Sequence, residues 1–396
     1  MNVENASVAR AIFAAFCATF VGIGLARFAY GPLLPALVNA GWFDASDAAF
    51  LGAANFAGYL AGASFGRSLT ARLATVGVLR AMMVLATLSF FCCSVRSPFL
   101  WFAGWRFLAG LSGGVLMVLA ATAVLPAVDK NRRGLASGII FTGIGLGVIA
   151  SGSLVPLLLK KGLLAAWSGV GSISALLTVM AWFCWPSTNE ANTAQTPEKS
   201  SILGLQMRLL YLEYALIAFA LVPHMVFLVD FVARGLDQGV RAGANYWILF
   251  GLGATAGPVI SGYLADRIGF ARALRQLLIF GIIAAALPSY FTAAVPIALT
   301  SIFIGAAVPG SVMLVLGRTR ELVRPESGGA AWSLATVAFS IGQAVAAYIY
   351  SSIFVWTGQS YRILFAAAAA SFLTALAVDL SSGWQRQTRE VAGASE

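Results

Sequence analysis

Charge is scarce in this chain. Asp, Glu, Lys and Arg make up 10% of its 396 residues while hydrophobic residues make up 60%, against roughly a quarter charged in an ordinary soluble domain. A soluble core cannot absorb that much apolar surface, so a water-soluble globular class is excluded. Cysteine is sparse as well: Cys17, Cys92, Cys93 and Cys184 all fall inside apolar stretches, where a thiol is a small packing residue. They imply neither a disulfide framework nor a metal site. His224 is the single histidine, so no metal-spaced cluster exists. There is also no Walker sequence and no nucleophile with a base nearby. Primary transport, enzymatic catalysis and a bound cofactor therefore have no motif behind them. Strong polar and apolar alternation is missing too, which excludes a membrane β-barrel.

What the chain does have is about a dozen long apolar stretches, at 10–37, 47–69, 76–95, 98–125, 135–159, 163–185, 207–232, 242–264, 273–292, 295–317, 329–354 and 360–381. Each is long enough to cross a hydrocarbon layer of about 30 Å as a helix. The backbone must satisfy its hydrogen bonds within those helices. The expected fold class is an all-α polytopic membrane protein with twelve transmembrane helices. The first stretch is too long for a signal peptide and no small-x-small cleavage site follows it, so it is read as a retained first helix.

Lys and Arg are retained on the cytoplasmic side of a membrane. With the N-terminus inside, 17 of the 25 basic residues fall on inner segments, including Arg67, Arg72, Arg80, Lys130, Arg132, Arg133, Arg267, Arg272 and Arg275. The outer segments hold 6, and Arg27 and Arg106 lie within stretches. Both termini are expected to be cytoplasmic. This distribution also accounts for the net charge of +10: it is a sorting signal with some attraction to anionic lipid heads, and nucleic acid is not an expected partner.

Shifting the chain by 195 residues superimposes Gly58 on Gly253, Gly62 on Gly257, Arg72 on Arg267, Arg80 on Arg275, Gly110 on Gly305, Gly134 on Gly329, Ala136 on Ala331 and Gly147 on Gly342. One register thus covers four stretches of each half, and an aligned Arg pair is harder to obtain by chance than aligned glycines. Six stretches separate the copies, so both have the same orientation, as in a two-bundle transporter. The expected domains are 1–185 and 207–396, joined by a polar cytoplasmic linker at 186–206. Glycines at spacing four, Gly58, Gly62 and Gly66 and then Gly253, Gly257 and Ser261, put small residues on one face for close helix approach, between bundles or within one.

The chain resembles the major facilitator superfamily over essentially its full length. The resemblance rests on GYLADRIG at 262–269, RFLAGLSGG at 106–114 and DKNRRG at 129–134. ARFAYGPLLPAL at 26–37 is similar to a largely uncharacterised branch of bacterial permeases. It implies two pseudo-symmetric six-helix bundles around a cavity that opens alternately to either side, in a monomer of the bacterial inner membrane. It also implies that Asp266, Arg267 and Gly269 help latch the bundles in the outward-facing state. In the first half the aligned positions are Ala71, Arg72 and Ala74, so the acid is missing there and the two latches are expected to hold unequally. GIGLG at 143–147 resembles the glycine pattern of antiporters but lacks its Gly-Pro pair.

Ionisable residues inside a membrane are costly, at least about 2.5 kcal/mol each at a helix centre, and so point to chemistry. Arg27 lies roughly 25 Å into the first helix, with Tyr30 nearly one turn on, and Arg106 roughly 12 Å into the fourth. Arg27 is open to two roles: a guanidinium fork for a substrate carboxylate or phosphate, or a structural tie to backbone carbonyls at a turn loosened near Pro32 and Pro35. Arg106 matches the arginine that proton-coupled members of the superfamily carry in helix 4, which implies a part in coupling. It is equally open to holding helices 1 and 4 together. Ser301 aligns with it in the second half. In the seventh stretch Glu213 and His224 are eleven residues apart, hence on one helix face, and Asp230 sits near its outer end. Glu213 or His224 is the expected proton carrier, against an interfacial Glu213 and a His224 that only bonds a neighbour. Pro223 frees a carbonyl and is expected to bend this helix. Asn55, Asn245, Tyr246, Gln343 and Tyr348 are further candidates for hydrogen bonding in the cavity.

The resulting expectation is a secondary transporter, proton-linked, moving a small organic anion as its substrate. A proton-antiport exporter of amphipathic compounds is the alternative, and a transporter-like receptor or a membrane scaffold are the minor ones.

Overall fold

The computed structural model describes residues 3–70, 73–128, 133–185, 202–324 and 327–393. Among the described residues there is no strand, and twelve helices are long and apolar enough to cross a membrane. They are α1 (Ser7–Asn39), α2 (Ala45–Gly66), α3 (Thr75–Cys92), α4 (Phe99–Ala127), α5 (Gly138–Leu159) and α6 (Leu163–Trp182) in the first half. The second half has α7 (Leu205–Gly235), α8 (Gly239–Ile268), α9 (Phe270–Tyr290), α10 (Ala294–Leu322), α11 (Ala330–Trp356) and α12 (Tyr361–Ser381). These are the twelve apolar stretches of the sequence. Gly269, at φ 84°, separates α8 from α9 in a conformation that a residue with a Cβ resists. The linker at 186–201, Arg72, and Asp129 to Arg132 lie outside the described residues.

The duplication is visible in side-chain-free contacts. A Cβ added to Gly58 would run into the carbonyl of Phe107, one on Gly62 into that of Leu111, and one on Gly110 into that of Asn55. In the second half Gly253 meets Ile302, Gly257 meets Ala306 and Gly305 meets Phe250 in the same way. Adding 195 to every member of the first set gives the second. The glycine stripes therefore hold α2 against α4 and α8 against α10, which is packing within each half. Glycine permits this because no side chain keeps the backbones apart, and dispersion contacts rather than hydrophobic burial drive helix association in lipid. Arg80 and Arg275 correspond too. Arg80 donates from Nε and Nη2 to the Trp182 carbonyl at the end of α6, at 3.1 and 2.6 Å, and Arg275 donates to Asp379 at the end of α12 at 2.6 Å.

The GIGLG segment packs on two sides. Gly143 and Gly147 abut α1 at Phe16 and Gly24, whereas Gly145 between them abuts Thr255 of α8. Its middle glycine thus serves the contact between the halves. That contact continues through Gly251 on Ile149, Gly152 on Ala244, and the ring of Phe50 in α2 against Tyr348 of α11 at 6.3 Å. Most of these residues lie between the middle of their helices and the end that carries the α1–α2 and α7–α8 connections.

One helix departs from expectation. The first stretch reads as a single helix, but α1 passes through a π-helical turn at Phe20–Leu25 and an irregular turn at 26–29 before resuming as Tyr30–Asn39. Pro32 has no N–H to give to Phe28, whose carbonyl takes that of Gly31 instead at 3.2 Å. Pro223, by contrast, lies inside an α-helix that continues from Leu205 to Asp230.

Gly58→Ala is expected to destabilise the protein by about 1–3 kcal/mol, as overpacking does. Gly77→Ala on α3, where an added Cβ meets open space, should be neutral or stabilising by up to about 1 kcal/mol. Thermal unfolding midpoints in detergent compare the two; equal midpoints would remove the packing role assigned to Gly58.

Candidate functional site

The irregular turn in α1 sets the site. A carbonyl released from a helix ladder in an apolar environment needs another donor. The carbonyl of Ala26 receives the Arg106 guanidinium, Nη1 to oxygen at 2.9 Å, and the Asn55 amide at 3.4 Å. Asn55 also donates to the Arg106 carbonyl at 3.0 Å. Arg106 thus does hold α1 to α4, with Asn55 of α2 between them, and its guanidinium lies 4.4 Å from the ring centre of Tyr30. The Tyr30 hydroxyl donates to the Ala48 carbonyl at 2.6 Å. Arg27, the next residue along the turn, points elsewhere. Its Nη2 donates to Gln343 Oε1 of α11 at 2.5 Å, and its guanidinium lies 4.2 Å from the ring of Phe56 and 4.6 Å from that of Tyr59.

Five of the residues singled out in the sequence therefore come together: Arg27, Tyr30, Asn55, Arg106 and Gln343. They are buried, Arg27 at 8% exposure and Arg106 at 3%. Arg27, Tyr30, Asn55 and Arg106 line a small cavity with Met225 and Val226 of α7, whose free space is about 10 Å³, room for the centre of one water. Among the described residues no carboxylate pairs with either arginine, so the cavity holds two guanidiniums and no acid. The chain is closed over it on the side of the α1–α2 connection. There Gly31 lies against Trp247, Phe28 against Trp247 and Phe250, and Trp247 Nε1 donates to Ser151 at 3.2 Å.

Other candidates lie apart. Asn245 is exposed and Tyr246 is half-buried in apolar packing; neither borders the cavity. At 100° per residue only one of three successive side chains can face α1, and Trp247 has that place. Tyr348 is 44% exposed and meets Phe50 rather than the cavity. Glu213 and His224 do share a face of α7, but that face looks into the second half. The His224 ring shares a hydrogen bond with Thr300 of α10 at 2.8 Å and packs on Phe365 of α12. Glu213 is buried and has no partner for Oε1. It borders a second small cavity with Gln206, Arg318 and Asp379. Asp230, fully buried, is closed into an ion pair with Arg234, at 2.5 and 2.6 Å, and accepts from the Tyr361 hydroxyl at 2.6 Å. Asp266 and Arg267 are exposed. Arg267 rests on the ring of Tyr263 at 4.3 Å, and among the described residues no ion pair includes Asp266.

The sequence reading missed Phe56, Tyr59, Met225 and Trp247. Tyr59 and Phe56 had one available signal, their position on α2 within a turn of Asn55; the others carried none.

A family model described as uncharacterised MFS-type transporter YbfB matches residues 19–379. Among solved structures, the chain is similar to the human organic anion transporter MFSD10 (TETRAN), with a TM-score of 0.69 and 16% identity over 96% of this chain and 100% of that one. At that identity the likeness is one of fold. No curated protein matches the chain by sequence.

Replacing Arg234 by Ala would leave the Asp230 carboxylate buried and short of its bidentate partner. A loss on the order of 3 kcal/mol is expected, read as a lower unfolding midpoint, with part of it recovered when Asp230→Asn is added. An unchanged midpoint in Arg234→Ala would mean that the pair holds nothing.

Proposed function

Because the chain belongs to the family of MFS-type transporters described for YbfB, we propose that this multi-pass transporter is a proton-linked secondary carrier of a small organic anion. It works by alternating access in the bacterial inner membrane. The observation that carries the anion reading is the pair of buried arginines, Arg27 and Arg106, with no acid among the described residues facing them at the junction of the two halves. Burying a charge without a partner is strongly unfavourable, so an anion entering this cavity gains two unneutralised cations at once. The helices that supply the two guanidiniums are held by the Ala26 carbonyl and by Gln343, one contact within the first half and one across to the second. An anion that engages Arg27 competes with Gln343 and so acts on the contact that joins the halves.

With the orientation expected from the basic residues, the closed end at the α1–α2 connection is the outer one. This conformation is then sealed outside, and an Asp266 that makes no ion pair among the described residues fits that state. Two carboxylates, Glu213 and Asp230, were open as proton carriers by position or chemistry, together with His224. Asp230 is neutralised by Arg234; His224, whose Nδ1 also has no partner, is enclosed by Thr300 and Phe365 and borders neither small cavity. Glu213 keeps an unpartnered oxygen beside a cavity that also holds Asp379 and Arg318. Glu213 is therefore the group we assign to the proton.

Uptake of labelled organic anions by vesicles containing only this protein tests both parts. Wild-type protein should concentrate an anion when the vesicle interior is alkaline, and Arg27→Ala should lower that flux by at least tenfold. Movement of amphipathic cations by both proteins, with no anion flux, would overturn the anion reading and favour the exporter. Glu213→Gln should still exchange anion for anion across the membrane but no longer respond to the pH gradient; retained gradient-driven uptake would exclude Glu213 as the carrier.

A further inference from the structure

Among the described residues, three polar atoms around the central cavity have no hydrogen-bond partner: Nε of Arg27, Nε of Arg106 and Oδ1 of Asn55. All three belong to residues more than nine-tenths buried that line the same small space. The orientation of the Asn55 amide is not in question, because both of its neighbours on the other side, the carbonyls of Ala26 and Arg106, can only accept. Its nitrogen must face them, which leaves Oδ1 as an acceptor for the cavity. The guanidiniums lie against rings, Arg27 against Phe56 and Tyr59 and Arg106 against Tyr30. A guanidinium offers its N–H groups in its own plane, so a ligand is taken at those edges. The cavity thus offers two charged donors and one neutral acceptor.

We propose that the anion this site takes, once the cavity widens beyond the single-water space of this conformation, is a small 2-hydroxycarboxylate, whose carboxylate accepts from Arg27 and Arg106 while its hydroxyl donates to Asn55 Oδ1. The proposal rests on the anion reading above and narrows it. One water could meet the three hydrogen bonds, but it would leave both positive charges unbalanced. A plain carboxylate brings one negative charge to the pair and leaves Oδ1 without a donor. A 2-oxo acid sets an acceptor against an acceptor, and an amino acid brings an ammonium to two guanidiniums. Buried polar groups left unpaired are what allow a site to reject an analogue that lacks a hydroxyl.

The unfolding midpoint of the purified protein, titrated with 2-hydroxypropanoate, propanoate, 2-oxopropanoate and 2-aminopropanoate near neutral pH, gives an apparent Kd for each. The hydroxy acid should bind at least about tenfold more tightly than the other three. Equal affinity for the hydroxy and plain acids, or tighter binding of the oxo or amino acid, would overturn the assignment of the hydroxyl to Asn55 and leave the anion reading standing. No stabilisation by any of them, with stabilisation by inorganic phosphate, would overturn the carboxylate and retain the anion. No stabilisation by any anion would overturn both. Asn55→Ala should bring the hydroxy and plain acids to parity; a retained preference would remove Asn55 as the reader. The wild-type ranking stands as a test even if that variant folds poorly.

Discussion

A backbone carbonyl away from water must find a donor, and in this protein the carbonyl of Ala26 is the one on which most else turns. The π-turn and Pro32 take α1 out of a regular ladder at 26–29. The oxygen so exposed is met by Arg106 from α4 and Asn55 from α2. Both donors arrive because α2 and α4 lie backbone against backbone, which Gly58, Gly62 and Gly110 allow. The glycine frame, the irregular turn and the buried Arg106 are therefore parts of one solution to one desolvation problem. The same turn exposes Arg27 toward the opposite half, so a defect in the helix becomes the place where the halves meet.

The distribution of charge follows from this. The positive groups at the centre are fixed by carbonyls, an amide and rings, none of which cancels their charge. The acids of the second half are kept elsewhere: Asp230 is bound by Arg234 and Tyr361, and Asp379 by Arg275. Each of those carboxylates is occupied where it stands, so the central field stays positive. Glu213 differs from both in having an oxygen with no partner.

Much of the frame was legible in the sequence, and for local reasons. Apolar length marks a spanning helix without knowledge of its neighbours, and a gapless shift of 195 finds the copies because the packing glycines keep their spacing. Arg27 and Arg106 stood out because charge inside an apolar run is rare. The pairing of Arg27 with Gln343 was not legible, since it joins residues 316 apart and no local pattern encodes it. Phe56, Tyr59 and Trp247 look like any aromatic in an apolar stretch. Asn245 and Tyr246 stand out in the sequence by their polar groups, but helix rotation decides which of three neighbours faces inward, and it is Trp247. The spacing of Glu213 and His224 gave their common face correctly; which helices that face looks upon depends on how α7 is seated between α10 and α12.

The contacts of Gly110 and Gly305 separate two demands that usually compete at one residue. In each half the atoms nearest to where a Cβ would stand on the glycine are main-chain atoms, led by the carbonyl of Asn55 in one and of Phe250 in the other. The side chain at that position points away from the contact and is left out of the fit. One copy can then keep an amide there and the other a phenyl ring that stacks on Trp247, with no change in how the helices meet. Inherited architecture and acquired chemistry are thus carried by different atoms of the same residue, and after duplication each copy could diverge at this point without rebuilding its scaffold.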